Sequence, residues 1–207
     1  MALKGLSKPY CAEYSFENNK AVYKNGYACD KAVSYEVTVE AGESNPLYGN
    51  NGIAENSKGV FARGNLKLGT TELPQGLSKK IYGLKTIAKE YGGNKTVDIT
   101  VFDDDADSPF LGFGIIEEHQ INDADKYRAV VLCKVKFNVN SEKATTRGDK
   151  VEWTTPEIEA SILRSDEYNA TNDGLKHPWK YDAWFDTEEA ADEFLKAVLD
   201  VIEVEAQ

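Results

Sequence analysis

Carboxylates dominate the chemistry this chain could perform, with 35 Asp and Glu against 24 Lys and Arg. Asp103, Asp104, Asp105 and Asp107 crowd the segment ahead of Ser108-Pro109, an oxygen density suited to a hard cation. A calcium loop counted from Asp103 needs a sixth-position glycine for its sharp turn and a twelfth-position glutamate as bidentate ligand. Ser108 and Gly114 stand there instead, so the segment reads as a solvated turn. His119 and His177 lie far apart, one at a strand end and one before a proline, and read as surface residues rather than ligands. No serine sits in a nucleophile elbow, and no glycine-rich loop leads into a helix. Gly112-Phe113-Gly114 imitates the opening of a dinucleotide fingerprint, but it lies mid-strand and Glu117 holds the third glycine's place. Trp179, Tyr181 and Trp184 could stack sugar rings, although a helix pattern beside them favours a core cluster. The sequence predicts no enzyme, no metal site and no cofactor.

What remains is carboxylates carried on strands. In 31–41, Val33, Tyr35, Val37, Val39 and Ala41 alternate with Ser34, Glu36, Thr38 and Glu40, the period of a half-buried strand with one wet face. In 151–164 the apolar phase changes: Val151 and Trp153 are odd, Ile158, Ala160 and Ile162 even, with Pro156 between them. A bulge at the proline would re-aim the strand and put Glu152, Glu157 and Glu159 on one outward face.

The scaffold for these strands is mainly β, expected as a sandwich or partial barrel in a single domain over 1–207 with two flanking helices. Its centre is 110–139, two runs rich in Val, Ile, Phe and Tyr joined by a polar connector at Asn122–Lys126. Tyr127, Ala129, Val131, Cys133, Val135, Phe137 and Val139 share one face. Val130 and Leu132 on the other face make the start of the run apolar on both sides, and Lys134, Lys136 and Asn138 make its end apolar on one. Residues 1–30 have no clean period and are read as an N-terminal arm or a short hairpin, with Asn25-Gly26 as its turn. Thr71 and Pro74 open a helix striped by Leu73, Leu77 and Ile81 and stopped by Gly83. Gly92-Gly93-Asn94 turns a hairpin between 84–91 and 95–102. Asp186 with Glu189 caps a final helix over 187–202, whose apolar face is Phe194, Leu195, Val198 and Leu199. Segments 141–150 and 165–174 read as polar loops. Segment 42–58 has no period and is long for a strand connection, yet it carries Pro46, Leu47, Tyr48 and Ile53. Two readings stand for it: an interface-forming loop, or one folded back on its own domain.

Charge position narrows the partners. From Lys150 onward there are 5 basic and 15 acidic residues, so nearly all of the net charge of −11 lies in this last part. Tight binding to nucleic acid needs the opposite sign, and an anionic membrane is disfavoured for the same reason. The opening residues lack the apolar run of a signal peptide, and no segment has the length of a membrane span. Three cysteines, Cys11, Cys29 and Cys133, cannot all pair within one chain, which favours reduced thiols in a cytosolic setting.

Five stretches together carry a family resemblance. MALKGLSKPYCA, AGESNPLYGNNGIAEN, LGFGIIEEHQ with YRAVVLCKVKF, ATTRGDKVEWTTPEIEASILRSDE, and KHPWKYDAWFDTEEAADEFLKAVL resemble, in order, the major tail proteins (tail tube proteins) of long-tailed phages infecting Gram-positive bacteria. The resemblance implies a structural virion protein, made in the host cytoplasm, that polymerises as stacked hexameric rings into the tail tube. It implies tail terminator, tape-measure and distal tail proteins as further partners, and DNA that passes through the bore during ejection without tight binding. The 42–58 loop would then reach neighbouring subunits through Pro46, Leu47, Tyr48 and Ile53, with Phe61 on the next strand as a further anchor. Glu36 and Glu40, or Glu157 and Glu159, would contribute to an acidic lining that repels phosphate. The alternative is a carbohydrate- or cell-surface-binding β-sandwich module using the Trp179–Trp184 cluster.

Overall fold

The computed structural model describes residues 2–42, 59–93, 95–139, 155–168 and 174–201, together with the backbone of 46–49 and 52–56. Glu152, Val151, Trp153 and the polar stretch 141–150 lie outside the described residues. The fold is mainly β with two helices. Among the described residues twelve strands run in chain order: β1 (Ala2–Glu17), β2 (Lys20–Ala28), β3 (Ala32–Ala41), β4 (Pro46–Gly49), β5 (Gly52–Asn56), β6 (Phe61–Thr70), β7 (Lys85–Tyr91), β8 (Lys95–Val101), β9 (Phe110–Ile121), β10 (Ala124–Phe137), β11 (Glu157–Leu163) and β12 (Lys180–Phe185). Helix α1 (Gln75–Tyr82) follows β6, and α2 (Glu188–Val198) follows β12.

Eight strands form one antiparallel sheet in the order β2-β1-β9-β10-β11-β6-β3, with β12 also on β10. The sheet forks at β10. Tyr127–Leu132 pair with β12, and Lys134–Phe137 with β11. It also curls on itself, since Tyr35 of β3 stacks on Phe113 of β9 with ring centroids 6.2 Å apart. Inside the curl lies the larger core, with Leu66, Leu68, Phe113, Ile115, Leu132, Phe137, Ile158 and Ile162 among its buried residues and Leu77 and Ile81 of α1 packed in. Outside it, Ala191, Leu195 and Leu199 of the α2 segment cover Tyr10, Ala12, Ile116, Ala129 and Val131. Gly114 lets the α2 segment approach and Gly112 makes room for Tyr23 of β2: a Cβ on Gly114 would stand 2.7 Å from a Leu199 methyl carbon, and one on Gly112 would stand 2.4 Å from the Tyr23 ring.

β10 is buried on both faces in its middle, from Ala129 to Cys133, and on one face from Lys134 to Phe137, while its first residues, Ala124 to Arg128, are exposed or half-buried; nor does it keep one phase. Leu132 faces Phe113 and Val135 faces Leu111, so Cys133 and Lys134 together oppose Gly112. This bulge puts Val130, Leu132, Val135 and Phe137 in the inner core and Ala129 and Val131 under α2. The single face expected from Tyr127 to Val139 is therefore two half-faces.

The N-terminal region also departs from expectation. β1 is 16 residues long and pairs with β9 as well as β2. The β1–β2 turn is Asn18-Asn19, both at positive φ (50° and 63°), a conformation that asparagine tolerates. Asn25-Gly26 is instead an irregularity within β2, where the Gly26 N–H donates to the Asp200 carbonyl at 3.1 Å. The central hairpin turns on Asn122-Asp123 alone (φ 50° and 62°). Gly83 ends α1 in the left-handed region (φ 65°), as expected, while the Thr71 hydroxyl donates to Asp30 rather than capping the helix. The cap of α2 is Thr187, one residue beyond Asp186, with its side chain accepting from the Ala190 N–H.

Candidate functional site

Two features stand out on the surface, and both come from strands away from the central slab. The first is the outward face of β11, β6 and β3. Register sets its rows. Glu159 lies opposite Lys67, and Lys67 lies opposite Glu36; Ser161, Asn65 and Thr38 form the next row; Arg63 lies opposite Glu40. Alternation turns Ile158, Leu68 and Tyr35, then Ala160, Leu66 and Val37, toward the inner core. The four strand glutamates singled out from sequence, Glu36, Glu40, Glu157 and Glu159, thus share one face.

That face is not purely acidic. The Lys67 ammonium sits 3.3 Å from Glu159 and 3.7 Å from Glu157, and the Arg63 guanidinium sits 2.6 Å from Glu40. The Glu159 hydrogen bond raises the Lys67 ammonium above its ordinary value, and the Glu40 hydrogen bond does the same for Arg63. All of these groups are solvated, so the pairs fix side-chain geometry more than they stabilise the fold. Four carboxylates against two cations leave the surface net negative.

The second feature is a pair of hairpins that stay out of the main sheet. β4 and β5 pair with each other, as do β7 and β8, and each pair is a separate two-stranded sheet. The 42–58 stretch, expected as an aperiodic loop, therefore holds strands at Pro46–Gly49 and Gly52–Asn56. It springs from the end of the β3–β6 ladder, closed at its base by the Gly42 N–H donating to the Val60 carbonyl at 2.7 Å. Leu47 pairs with Glu55 and Tyr48 with Ile53, while Pro46 pairs with Asn56.

The β7–β8 hairpin is amphipathic. Ile87 faces Ile99, Lys89 faces Val97 and Tyr91 faces Lys95 on one side; Thr86 and Thr100, Ala88 and Asp98, and Glu90 and Thr96 make the other. The apolar side is open to solvent, with Ile87 51%, Tyr91 55% and Val97 45% exposed. Lys85 at its base is held by Asp103 and Asp105, at 3.8 and 2.9 Å. The aspartate run is thus a turn paired to a lysine, and no cluster of three or more potential metal ligands occurs among the described residues. Nothing in the local sequence marks this hairpin as unattached, because its alternation would equally suit a strand pair within the sheet.

Phe61 and the tryptophan segment both have partners within the chain. Phe61 stacks on Trp179 at 4.7 Å with the rings 10° from parallel, so it is engaged inside its own chain. Trp179, Tyr181 and Trp184 form no shared platform. Trp179 packs on the inner core, Tyr181 belongs with α2, and Trp184 lies near His119 and Arg128 at 5.1 and 5.8 Å. Among the described residues, no helix is long and apolar enough to cross a membrane. No protein-family model matches the chain, and no curated protein matches it.

Proposed function

We propose that this chain is a structural subunit that assembles with copies of itself, by the resemblance noted above into the stacked rings of a phage tail tube. The observation that carries this reading is the β7–β8 hairpin. An isolated two-stranded hairpin is at best marginally stable in water, and this one presents Ile87, Tyr91 and Val97 to solvent. A second copy supplies the missing cover. Among the described residues β3 is a terminal strand of the main sheet, paired with β6 alone, and it leads directly into the β4–β5 hairpin. Edge pairing between copies would satisfy these strands and close a ring, removing templates for uncontrolled aggregation.

In this arrangement the β11–β6–β3 face lines the bore. Its net negative charge repels phosphate, while Lys67 and Arg63 hold the carboxylates in place. The glycan-binding alternative has less support, because Trp179 stacks on Phe61 while Trp184 lies beside His119 and Arg128. Negative-stain imaging of the purified full chain over a concentration series tests the assignment. Rings or filaments are expected as concentration rises. A monodisperse small particle at every concentration would overturn it.

A further inference from the structure

Cys11 of β1 and Cys29, just beyond β2, are both buried, and their Sγ atoms stand 2.6 Å apart. Non-bonded heavy atoms pack at roughly 3.5–4.0 Å, whereas a disulfide spans ~2.05 Å. The backbone explains the approach. Cys11 pairs with Tyr27, and the Cys29 N–H donates to the Pro9 carbonyl at 2.8 Å, so Cys29 lies two residues beyond the partner of Cys11 and the two side chains are diagonal neighbours on one face. We propose that Cys11 and Cys29 are a covalent modification site, closing to an intrachain disulfide when the chain folds in contact with a disulfide oxidant such as oxidised glutathione.

The step balances. One cysteine thiolate attacks oxidised glutathione, the glutathione S–S bond breaks, and one glutathione thiolate leaves a mixed disulfide on the protein. The second cysteine thiolate attacks the protein sulfur of that mixed disulfide and expels the other glutathione. The two protons lost by the protein end on two glutathione thiols, and the protein gives up two electrons. Burial pushes the Cys29 thiol well above its ordinary range, so in the finished fold it is a poor nucleophile. Closure therefore belongs to folding, or to opening of the β2 end.

The bond would pin a junction. Next to Cys29, the Asp30 carboxylate accepts from the Thr71 hydroxyl at 2.7 Å and the Glu72 N–H at 3.0 Å, at the approach to α1. The Lys80 ammonium of α1 lies 4.3 Å from the Tyr27 ring centroid. Cys133 is separate, buried near Tyr23 and Tyr181, with burial pushing its thiol up to about 12. The odd cysteine count then resolves into one bridge and one retained thiol.

The test refolds the full chain in a glutathione redox buffer or in reductant, then denatures, alkylates with iodoacetamide and weighs it. Oxidative refolding should leave one alkylated cysteine, Cys133, and a linked peptide joining residues 11 and 29; reductive refolding should leave three. The oxidised form should melt roughly 5–10 °C higher, from loop-closure entropy in a domain of this size. Cys133→Ala should leave no alkylatable thiol after oxidation, a control that spares the pair. Three alkylated cysteines after oxidative refolding, a bridge that includes Cys133, or one that joins two chains would overturn the proposal.

Discussion

The β9–β10 and β7–β8 ladders are both antiparallel and both join strands consecutive in the chain, yet they meet opposite surroundings. β9–β10 is flanked by strands on both edges and buried between the inner core and α2. Among the described residues β7–β8 has no neighbouring strand, and Ile87, Tyr91 and Val97 on its apolar face are exposed. Both have the β-branched and aromatic residues that suit a packed surface. The difference lies in what covers them. The central slab is covered by its own chain, whereas Ile87, Tyr91 and Val97 of the hairpin face solvent.

Substitutions can break the comparison on either side. The largest effect is expected in the slab: Phe113→Ala removes a ring that is fully buried against Tyr35 and should cost about 3–5 kcal/mol in urea unfolding. Gly114→Ala forces its new methyl against Leu199 and Leu195, and should cost about 1–3 kcal/mol by displacing α2.

Asp192 on α2 gives a pH-dependent handle. Burial opposes its charge, but Lys196, the Tyr10 hydroxyl at 2.7 Å and Lys8 together hold its carboxyl below the ordinary range. A depressed folded-state value means the unfolded chain takes up the proton first. The contribution is therefore present above about pH 4 and lost as pH falls further. Asp192→Asn should reduce stability at neutral pH by about 1–3 kcal/mol and flatten the acid limb of the stability profile. Equal acid slopes in parent and variant would contradict this.

On the hairpin side, stability should hardly move. Ile87→Ser with Val97→Ser should change unfolding free energy by under about 1 kcal/mol while abolishing rings or filaments in negative stain. The smallest stability effect is expected from Glu36→Gln, Glu40→Gln, Glu157→Gln and Glu159→Gln combined, roughly 0.5 kcal/mol for solvated positions. Their consequence should appear in assembled tubes, as DNA retention at low salt. Tubes that release DNA like the parent would remove the bore-lining role from this face.

Much of the slab was legible because local pattern and burial agree there. Val130 and Leu132 declare a strand buried on both sides, and Leu77, Ile81 and Gly83 declare a helix and its end. The bulge at Cys133-Lys134 was hidden, since the alternation of residue types runs through it unbroken. Asn25-Gly26 misled because its left-handed propensity serves a bulge as well as a turn, and Asn18-Asn19 took the turn. At the polar face, the outward direction of Glu36 and Glu159 followed from period two. Their meeting across Lys67 did not, because β6 lies between β3 and β11 only through long-range pairing. The β4–β5 ladder was obscured by glycine and asparagine, and the engagement of Phe61 by a partner more than a hundred residues away.

Hydrogen exchange of the full chain, dilute and concentrated, tests most directly whether the hairpin's cover is another copy. Amides of β7 and β8 should exchange quickly when dilute and become protected on concentration, while β9 and β10 stay protected throughout. Exchange in β7–β8 that does not change with concentration would contradict the account.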